Sequence, residues 1–257
     1  MFISIITVVY NGEKTIAKTI QSVLDQNFAD YEYIIQDGCS SDNTLNIARS
    51  YEKKFNGKLH VFSEKDKGIY DAMNRGIRKA KGDYIWLVNS DDYITSTALY
   101  DLYQLCKTIS FKKCVISGRM NVIDVVSGSI IQTPSASNFE NYKKACQKLK
   151  MGISHPATVV HKSVYDDIGF YDDRYYISAD VDFCLRTFDE NIPIIFPDII
   201  LTNMTNGGVS NQFPFKKNMH DCLLRAEKFC KTPLVKVRFI IYFFVRLIAL
   251  KIISAIR

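Results

Sequence analysis

The sequence predicts an α/β fold: a Rossmann-like, mostly parallel central sheet flanked by helices, followed by a C-terminal amphipathic helical segment. Three observations carry this. Short apolar, β-branched runs alternate with stretches of helical spacing over the first hundred residues, the pattern of a parallel sheet with crossover helices. Residues 84–88, Tyr84-Ile85-Trp86-Leu87-Val88, are apolar without a break and run into Asn89-Ser90-Asp91-Asp92, as a strand buried on both faces does when it leaves the core. Residues 235–257 are strongly apolar but interrupted by Arg246 and Lys251.

Taken in order, residues 2–9 read as a buried first strand, ending in the turn Tyr10-Asn11-Gly12. Ile16, Ile20, Val23 and Leu24 give helical spacing over 13–26. Residues 31–36 form a second strand, closed by the turn-forming cluster 37–44 before a helix over 45–55. A third strand at 59–62 leads through a charged loop to a helix over 69–80, which Gly82 ends. Beyond the Asp91 strand, Leu99, Leu102 and Leu105 mark a helix over 95–110. The alternation then weakens. Residues 115–118 and 129–132 look like strands of a mixed sheet, and the polar, basic stretch 134–150 reads as a loop or solvated helix. A short helix over 163–168 stops at Gly169, and Val181, Cys184, Leu185 and Phe188 share one face of a helix over 180–191. Residues 203–212, with Gly207-Gly208, read as a mobile loop.

At 257 residues and 47% apolar the chain can bury a sizeable core, which excludes global disorder. The opening residues lack the basic stretch and cleavage site of a signal peptide. Seven scattered cysteines without a CxxC pair support neither a disulfide framework nor a zinc site, and fit a reducing cytosol. A net charge of +6 suits phosphate-bearing substrates or an anionic membrane face. No basic stripe interleaved with aromatics points to nucleic acid.

Chemistry concentrates at strand ends, where open α/β sheets bind ligands. Asp91 and Asp92 offer hard oxygens suited to Mg²⁺ or Mn²⁺ that also holds substrate phosphates; Asp92 could instead cap the next helix. Lys67 and the amides around Gly68 precede a helix, whose N-terminus attracts anionic oxygens; Lys67 is equally readable as a solvated loop charge. Asp180 opens a helix, either as a base or as a plain N-cap, and His155 is either a ligand contact or a structural histidine.

Five ordered segments together resemble the inverting nucleotide-sugar glycosyltransferases of family 2, which share the GT-A fold. The bacterial branch that assembles cell-surface polysaccharides is the nearest, and the likeness covers roughly 1–212. Ser4-Ile5-Ile6-Thr7-Val8-Val9-Tyr10-Asn11 is similar to the family's opening strand and nucleotide-contact loop, implying nucleotide roles for Thr7, Val9, Tyr10 and Asn11. Ile34-Ile35-Gln36-Asp37-Gly38 resembles its second strand end, where Asp37 would accept hydrogen bonds from the base; many relatives carry a second Asp where this chain has Gly38. Residues 64–74, from Glu64 to Asn74, are the most branch-specific stretch and bring in Lys67, Gly68 and Asn74. Residues 84–92 resemble the DxD metal site, with Asn89 at the first Asp position, so the metal falls to Asp91, and Asn89, Ser90 and Asp92 are assigned to the nucleotide sugar. Around Asp180 the family has a Glu-Asp or related pair whose Asp is the catalytic base; here Ala179 replaces the Glu and Asp180 holds the base position. His155 falls in a segment that lines the acceptor side in relatives.

The resemblance implies that residues 1–110 bind a nucleoside diphosphate sugar, with uridine donors the commonest, and 111–212 present an acceptor hydroxyl on a glycan or lipid-linked glycan. It also implies a divalent metal cofactor that arrives with the nucleotide. In the segment 213–257, Val237, Ile241, Phe244, Ile248 and Ile252 share one helical face, and Lys236, Arg238, Arg246, Lys251 and Arg257 lie away from it. Two central cations disfavour a spanning helix, so 234–257 is expected to lie in the membrane interface, on the inner face of the cell membrane. Docking on the protein core or in a dimer is the other reading. A nucleotidyltransferase lacks support, because Tyr10-Asn11-Gly12-Glu13 is not a Gly-rich phosphate loop. A non-catalytic nucleotide-sugar-binding relative that scaffolds a membrane complex draws on Asn89 and Ala179.

Overall fold

The structure is a computed structural model that describes residues 1–110, 113–207 and 215–256. Its spine is strand β1 (Ile3–Val9), all seven residues buried. On one side β1 pairs in parallel with β2 (Tyr31–Asp37), which pairs in parallel with β3 (Leu59–Ser63). On the other side it pairs in parallel with β4 (Tyr84–Leu87), as the unbroken apolar run predicts. The chain thus leaves β1 in both directions across the sheet, which opens a crevice at the carboxyl ends of β1 and β4.

Alternation along β1 builds the two cores. Ile3, Ile5 and Val9 pack with helices α1 (Ile16–Leu24), α2 (Thr44–Ser50) and a helix at 98–108. Ile6 and Val8 face the opposite layer, beginning with α3 (Ile69–Lys79). Gly76 lets α3 lie close to the sheet, since a Cβ there would stand 2.5 Å from Ile6 Cγ2. The helix expected over 45–55 breaks at Tyr51 into α2 and a 3₁₀ turn, Glu52–Phe55.

Past β4 the structure departs from the simple alternation. A two-residue strand β5 (Tyr93–Ile94) precedes α4 (Ala98–Thr108), then β6 (Val115–Ser117), β7 (Arg119–Ile123) and β8 (Ile130–Gln132). Stretch 134–150 contains α5 (Phe139–Gln147), capped by the Asn138 side chain; it is solvated on one face only, because Tyr142 and Cys146 are buried against Cys184 and Leu185. Strand β9 (Thr158–His161) inserts antiparallel between β4 and β6, and β10 (Ile194–Ile195) completes a seven-stranded sheet ordered β10-β6-β9-β4-β1-β2-β3. Helices α6 (Lys162–Ile168) and α7 (Ala179–Asp189) join the layer of α3. Strand β11 (Ile200–Thr205) sits inside a second sheet, β5-β11-β7-β8. It corrects the expected loop at 203–212: residues 203–205 are strand, and 208–212 lie outside the described residues. Strands β5 and β10 escape periodicity because they have two residues each, and β7 and β11 because polar residues break their apolar runs, as at Asn121 and at Thr202-Asn203.

Helices α8 (Phe215–Phe229) and α9 (Pro233–Ile256) close the chain. Pro233 opens α9, where its missing N–H costs nothing, and Thr232 Oγ1 accepts the Val235 amide. Helix α8 is built into the body: Asp221, Cys222, Arg225 and Ala226 are buried, and Lys228 reaches Asp182 of α7 at 2.6 Å. The side chains of Lys251, Ile252 and Arg257 lie outside the described part. Among the described residues no helix is long and apolar enough to cross a membrane.

Candidate active site

The crevice at the ends of β1 and β4 holds a cavity of about 440 Å³. It gathers Asn89, Ser90, Asp91 and Asp92 after β4, His155 before β9, Asp180 at the start of α7, and Thr205 to Gly207 at the end of β11 and just beyond it. Val8, Tyr70 and Met73 supply its apolar wall. A larger hollow of about 760 Å³, bordered by Asp101, Arg119 and Asp198, lies away from these residues and contains none of them.

The residues after β4 are held from behind. Thr19 Oγ1 reaches the carbonyls of Ser90 (2.9 Å) and Asp92 (2.7 Å), and Thr205 Oγ1 donates to the Asp91 carbonyl at 2.6 Å. Asp92 is buried and accepts from the Thr205 amide at 2.9 Å and from Asn89 Nδ2 at 3.0 Å. Burial first, then the neighbouring Asp91 charge, pushes its pKa up to about 7. Asp92 therefore neither caps the next helix, which Thr97 precedes, nor offers a free carboxylate; it fixes the loop. Asp91 is half-buried, its pKa raised by desolvation, and among the described residues no side chain donates to its carboxylate. A partly desolvated carboxylate that meets its own backbone amide and no side-chain donor among the described residues suits a hard divalent cation. The described residues form no cluster of three metal-type side chains, so a metal at Asp91 would need further ligands from a bound molecule or water. Asn89 gives its amide nitrogen to Asp92, which sets the orientation of its side chain.

Asp180 faces the same cavity. Its pKa is raised, burial outweighing the lowering effects of His155 and of the Val181 amide, which donates to it at 2.8 Å. His155 Nε2 lies 3.1 Å from Tyr171 Oη, and burial lowers its pKa. A carboxylate with a raised pKa beside a neutral imidazole is chemically equipped to take a proton. Among the described residues, three carboxylates and no Lys or Arg line the cavity. A diphosphate entering it would therefore meet repulsion unless a cation came with it.

Other expected residues lie behind or beside the cavity. Thr7 and Val9 are buried in the sheet, Thr7 Oγ1 accepting from Tyr33 Oη at 2.9 Å. Tyr10 is 66% exposed. Asn11, at φ 52°, ties the first loop to the second, its Oδ1 taking the Ser41 amide at 2.8 Å and its amide meeting Ser40 Oγ at 2.8 Å. Asp37 is buried, held by the Ser40 amide and by Ser63 Oγ at 2.6 Å. Lys67 and Gly68 are exposed, but their amides are taken by the carboxylates of Asp71 (3.0 Å) and Asp66 (2.9 Å) rather than left open for an anion. Asn74 is buried and gives both polar atoms to the backbone of Tyr171, at 2.8 and 3.0 Å, so it pins the segment before α7 instead of reaching the cavity.

Two groups eluded the sequence. Asp66 Oδ2 stands 2.6 Å from where a Cβ on Gly38 would be, so a carboxylate occupies the place of the second Asp that residue 38 lacks. Asp221 of α8 accepts from the amides of Tyr176 (2.9 Å), Ile177 (2.8 Å) and Ser178 (3.0 Å) and from Ser178 Oγ (3.0 Å). It clamps the strip that presents Ile177 and Asp180. An acidic residue on a polar helix after position 212 carries no signal of this in its spacing.

Comparison with known proteins adds the following. The family model described as Glycosyl transferase family 2 matches residues 4–169. A PGL/p-HBAD biosynthesis glycosyltransferase of Mycobacterium bovis is 28% identical over 211 residues, 81% of this chain and 78% of the relative. The poly(ribitol-phosphate) beta-N-acetylglucosaminyltransferase TarS of Staphylococcus aureus is 34% identical over 103 residues, 39% of this chain and 18% of that one. The crystal structure of TarS 1-349 in complex with UDP-GlcNAc superposes with a TM-score of 0.70 at 21% identity, covering 95% of this chain and 72% of that chain.

Proposed function

The chain belongs to glycosyl transferase family 2, and from that premise we propose that it moves a sugar from a UDP-sugar to an acceptor hydroxyl of a surface glycan, with inversion. One observation carries the reading: β4, β9 and α7, distant in sequence, bring Asp91, His155 and Asp180 to one cavity at the topological switch of the sheet. The relatives named for PGL/p-HBAD biosynthesis and for poly(ribitol-phosphate) N-acetylglucosaminyl transfer support a glycan acceptor, and a lipid-linked glycan is its most economical form given the apolar helix α9.

In this mechanism Asp180 takes the proton of the acceptor hydroxyl as its oxygen attacks the anomeric carbon. The bond to the diphosphate oxygen breaks on the opposite face, so one displacement inverts the centre and leaves a nucleoside diphosphate. The raised pKa of Asp180 suits the task, since a more basic carboxylate is a better proton acceptor in its ionised form. Asp91 would hold a Mg²⁺ or Mn²⁺, which when bound stabilises the charge on the leaving diphosphate. Asp92, Thr19 and Thr205 keep Asp91 in place. Lys67, exposed before α3, and Asp37, at the end of β2, remain the chain's candidates for diphosphate and base contacts.

A thermal-shift panel of UDP-, GDP-, TDP- and CMP-sugars, each with Mn²⁺ and with EDTA, tests donor and metal together. UDP-GlcNAc is the first probe because TarS was solved with it. A ligand that binds only the folded state stabilises by about 2.7 kcal/mol at a hundredfold excess over Kd. The expected result is a metal-dependent shift with a uridine donor. Binding without turnover on any acceptor would favour the non-catalytic scaffold, to which Asn89 and Ala179 lend support.

A further inference from the structure

Charge is distributed unevenly along this chain. Residues 228–257 carry seven of its 33 Lys and Arg and none of its 27 Asp and Glu. The first 227 residues are therefore close to neutral, and the whole net charge of +6 resides in the last thirty.

Lys228 of α8 is paired with Asp182, and among the described side chains of α9 the charge is carried by Lys236, Arg238 and Arg246. One face packs inward: Phe239, Ile240, Phe243 and Leu247 are half-buried, Phe215 of α8 meets Phe244 edge-on at 5.7 Å, and the Arg225 guanidinium lies 5.9 Å from the Phe243 ring. The opposite face is apolar and uncovered. Leu234, Val237, Ile241, Val245 and Ile248 fall on one arc at 100° per residue, with Ile241 57% and Val245 58% exposed. No charged residue interrupts that arc; Arg238 borders it, and Arg246 lies further round on the same side, beyond Tyr242, both exposed. Beside it Tyr242 receives Lys150 Nζ at 3.1 Å, and this bond, reinforced by the charges of Lys150, Arg246 and Lys148, holds the phenol below its usual pKa. Lysines of the α5 end and an arginine of α9 thus form one cationic rim along the apolar face.

We infer that the outer face of α9, with the rim of Lys148, Lys150 and Arg246, docks on an anionic phospholipid surface, its apolar arc in the headgroup boundary and its cations on lipid phosphates. The charge decides the occupant. A second copy joined through α9 would bring two cation-rich, acid-free faces together, whereas an anionic bilayer neutralises both rim and arc. Each Lys or Arg near such a surface adds about fivefold to affinity. The inference does not depend on which sugar is moved.

The test is co-sedimentation of the full chain with vesicles of phosphatidylcholine alone and of phosphatidylcholine with phosphatidylglycerol, at low and high salt. The chain should pellet with the anionic vesicles and be released by salt. Lys148→Glu with Arg246→Glu, both exposed and therefore harmless to folding, should weaken pelleting by about tenfold or more, and Ile241→Ser with Val245→Ser should abolish it. Equal pelleting on both vesicle types, or charge-reversed protein that pellets like the parent, overturns the inference. So does a lipid-free dimer in sedimentation velocity that Ile241→Ser with Val245→Ser dissolves, which would give the face to a second copy. If the serine variant does not fold, the charge reversal and the salt release decide alone.

Discussion

The loops after β1 and β2 and the cavity beyond β4 use the same residue types in opposite ways. In the first, polar groups satisfy one another: Asn11 holds Ser41, Thr44 Oγ1 takes the Gly12 amide at 2.8 Å, and Asp42 and Glu13 exchange hydrogen bonds with each other's segments. In the second, Asp91 and Asp180 are desolvated and their pKa values raised, with few or no protein donors to settle them. Buried polar groups are normally paired, so a satisfied network marks scaffold and an unsatisfied carboxylate marks a place where a ligand completes the set. The difference assigns stability to one region and chemistry to the other, and substitutions can break that division.

The largest expected effect is at Asp180. Asp180→Asn should keep the fold and donor binding but cut turnover by about 10²–10⁴-fold, the usual worth of a general base. Turnover within a few-fold of the parent would remove Asp180 from the role. Asp91→Ala should leave melting in EDTA nearly unchanged and abolish the metal-dependent part of the UDP-sugar shift. A donor shift of equal size with Mn²⁺ and with EDTA in the parent would detach Asp91 from any metal.

Asp221 tests whether the clamp serves the site or only the fold. Asp221→Asn replaces a carboxylate that faces four donors with an amide, leaving at least one donor unpaired at a cost of about 2 kcal/mol. As a positioning residue it should also lower kcat with KM for the donor unchanged, because Asp180 and not the nucleotide loops would be misplaced. A variant that melts earlier yet keeps kcat at a temperature where it is folded would make the clamp purely structural. Asn74→Ala, at the other end of the same segment, is expected to cost about 1–3 kcal/mol for the Tyr171 amide and carbonyl it strands.

The contrast also explains what the sequence made legible. β1 to β4 were readable because each is a mainly apolar, β-branched or aromatic run between turn or loop signals, and α1, α3 and α4 because their apolar residues recur at helical spacing. Asp91 and Asp180 were readable as carboxylates at element ends. Whether a polar residue is satisfied was not, because it depends on partners far away in sequence: Asn74 meets Tyr171, Asp92 meets Thr205, and Asp221 meets Ser178. Asp66 is the sharpest case. It falls between two lysines in a charged loop, and only folding sets it in the gap above Gly38. β9 was hidden for another reason, being four residues long and antiparallel in a sheet whose other central pairings are parallel.

The smallest effect is the most diagnostic of the cavity's electrostatics. Burial raises the pKa of Asp180 and lowers that of His155, while each group's charge, when present, favours the ionised form of the other. The acid limb of kcat should therefore lie above the ordinary carboxylate range, because Asp180 must be ionised to act and is protonated as pH falls through its raised pKa. His155→Gln removes the imidazolium that forms at low pH and with it an influence that holds the Asp180 pKa down, so the limb should move to higher pH with the plateau rate little changed. A limb that moves to lower pH would mean that His155 is cationic for some other partner, or that the proton acceptor is not Asp180. A limb that stays put while the plateau falls would mean that His155 acts on the acceptor through its hydrogen bond with Tyr171 and not through its charge. Either result would redraw the boundary between the satisfied scaffold and the carboxylates left for a ligand.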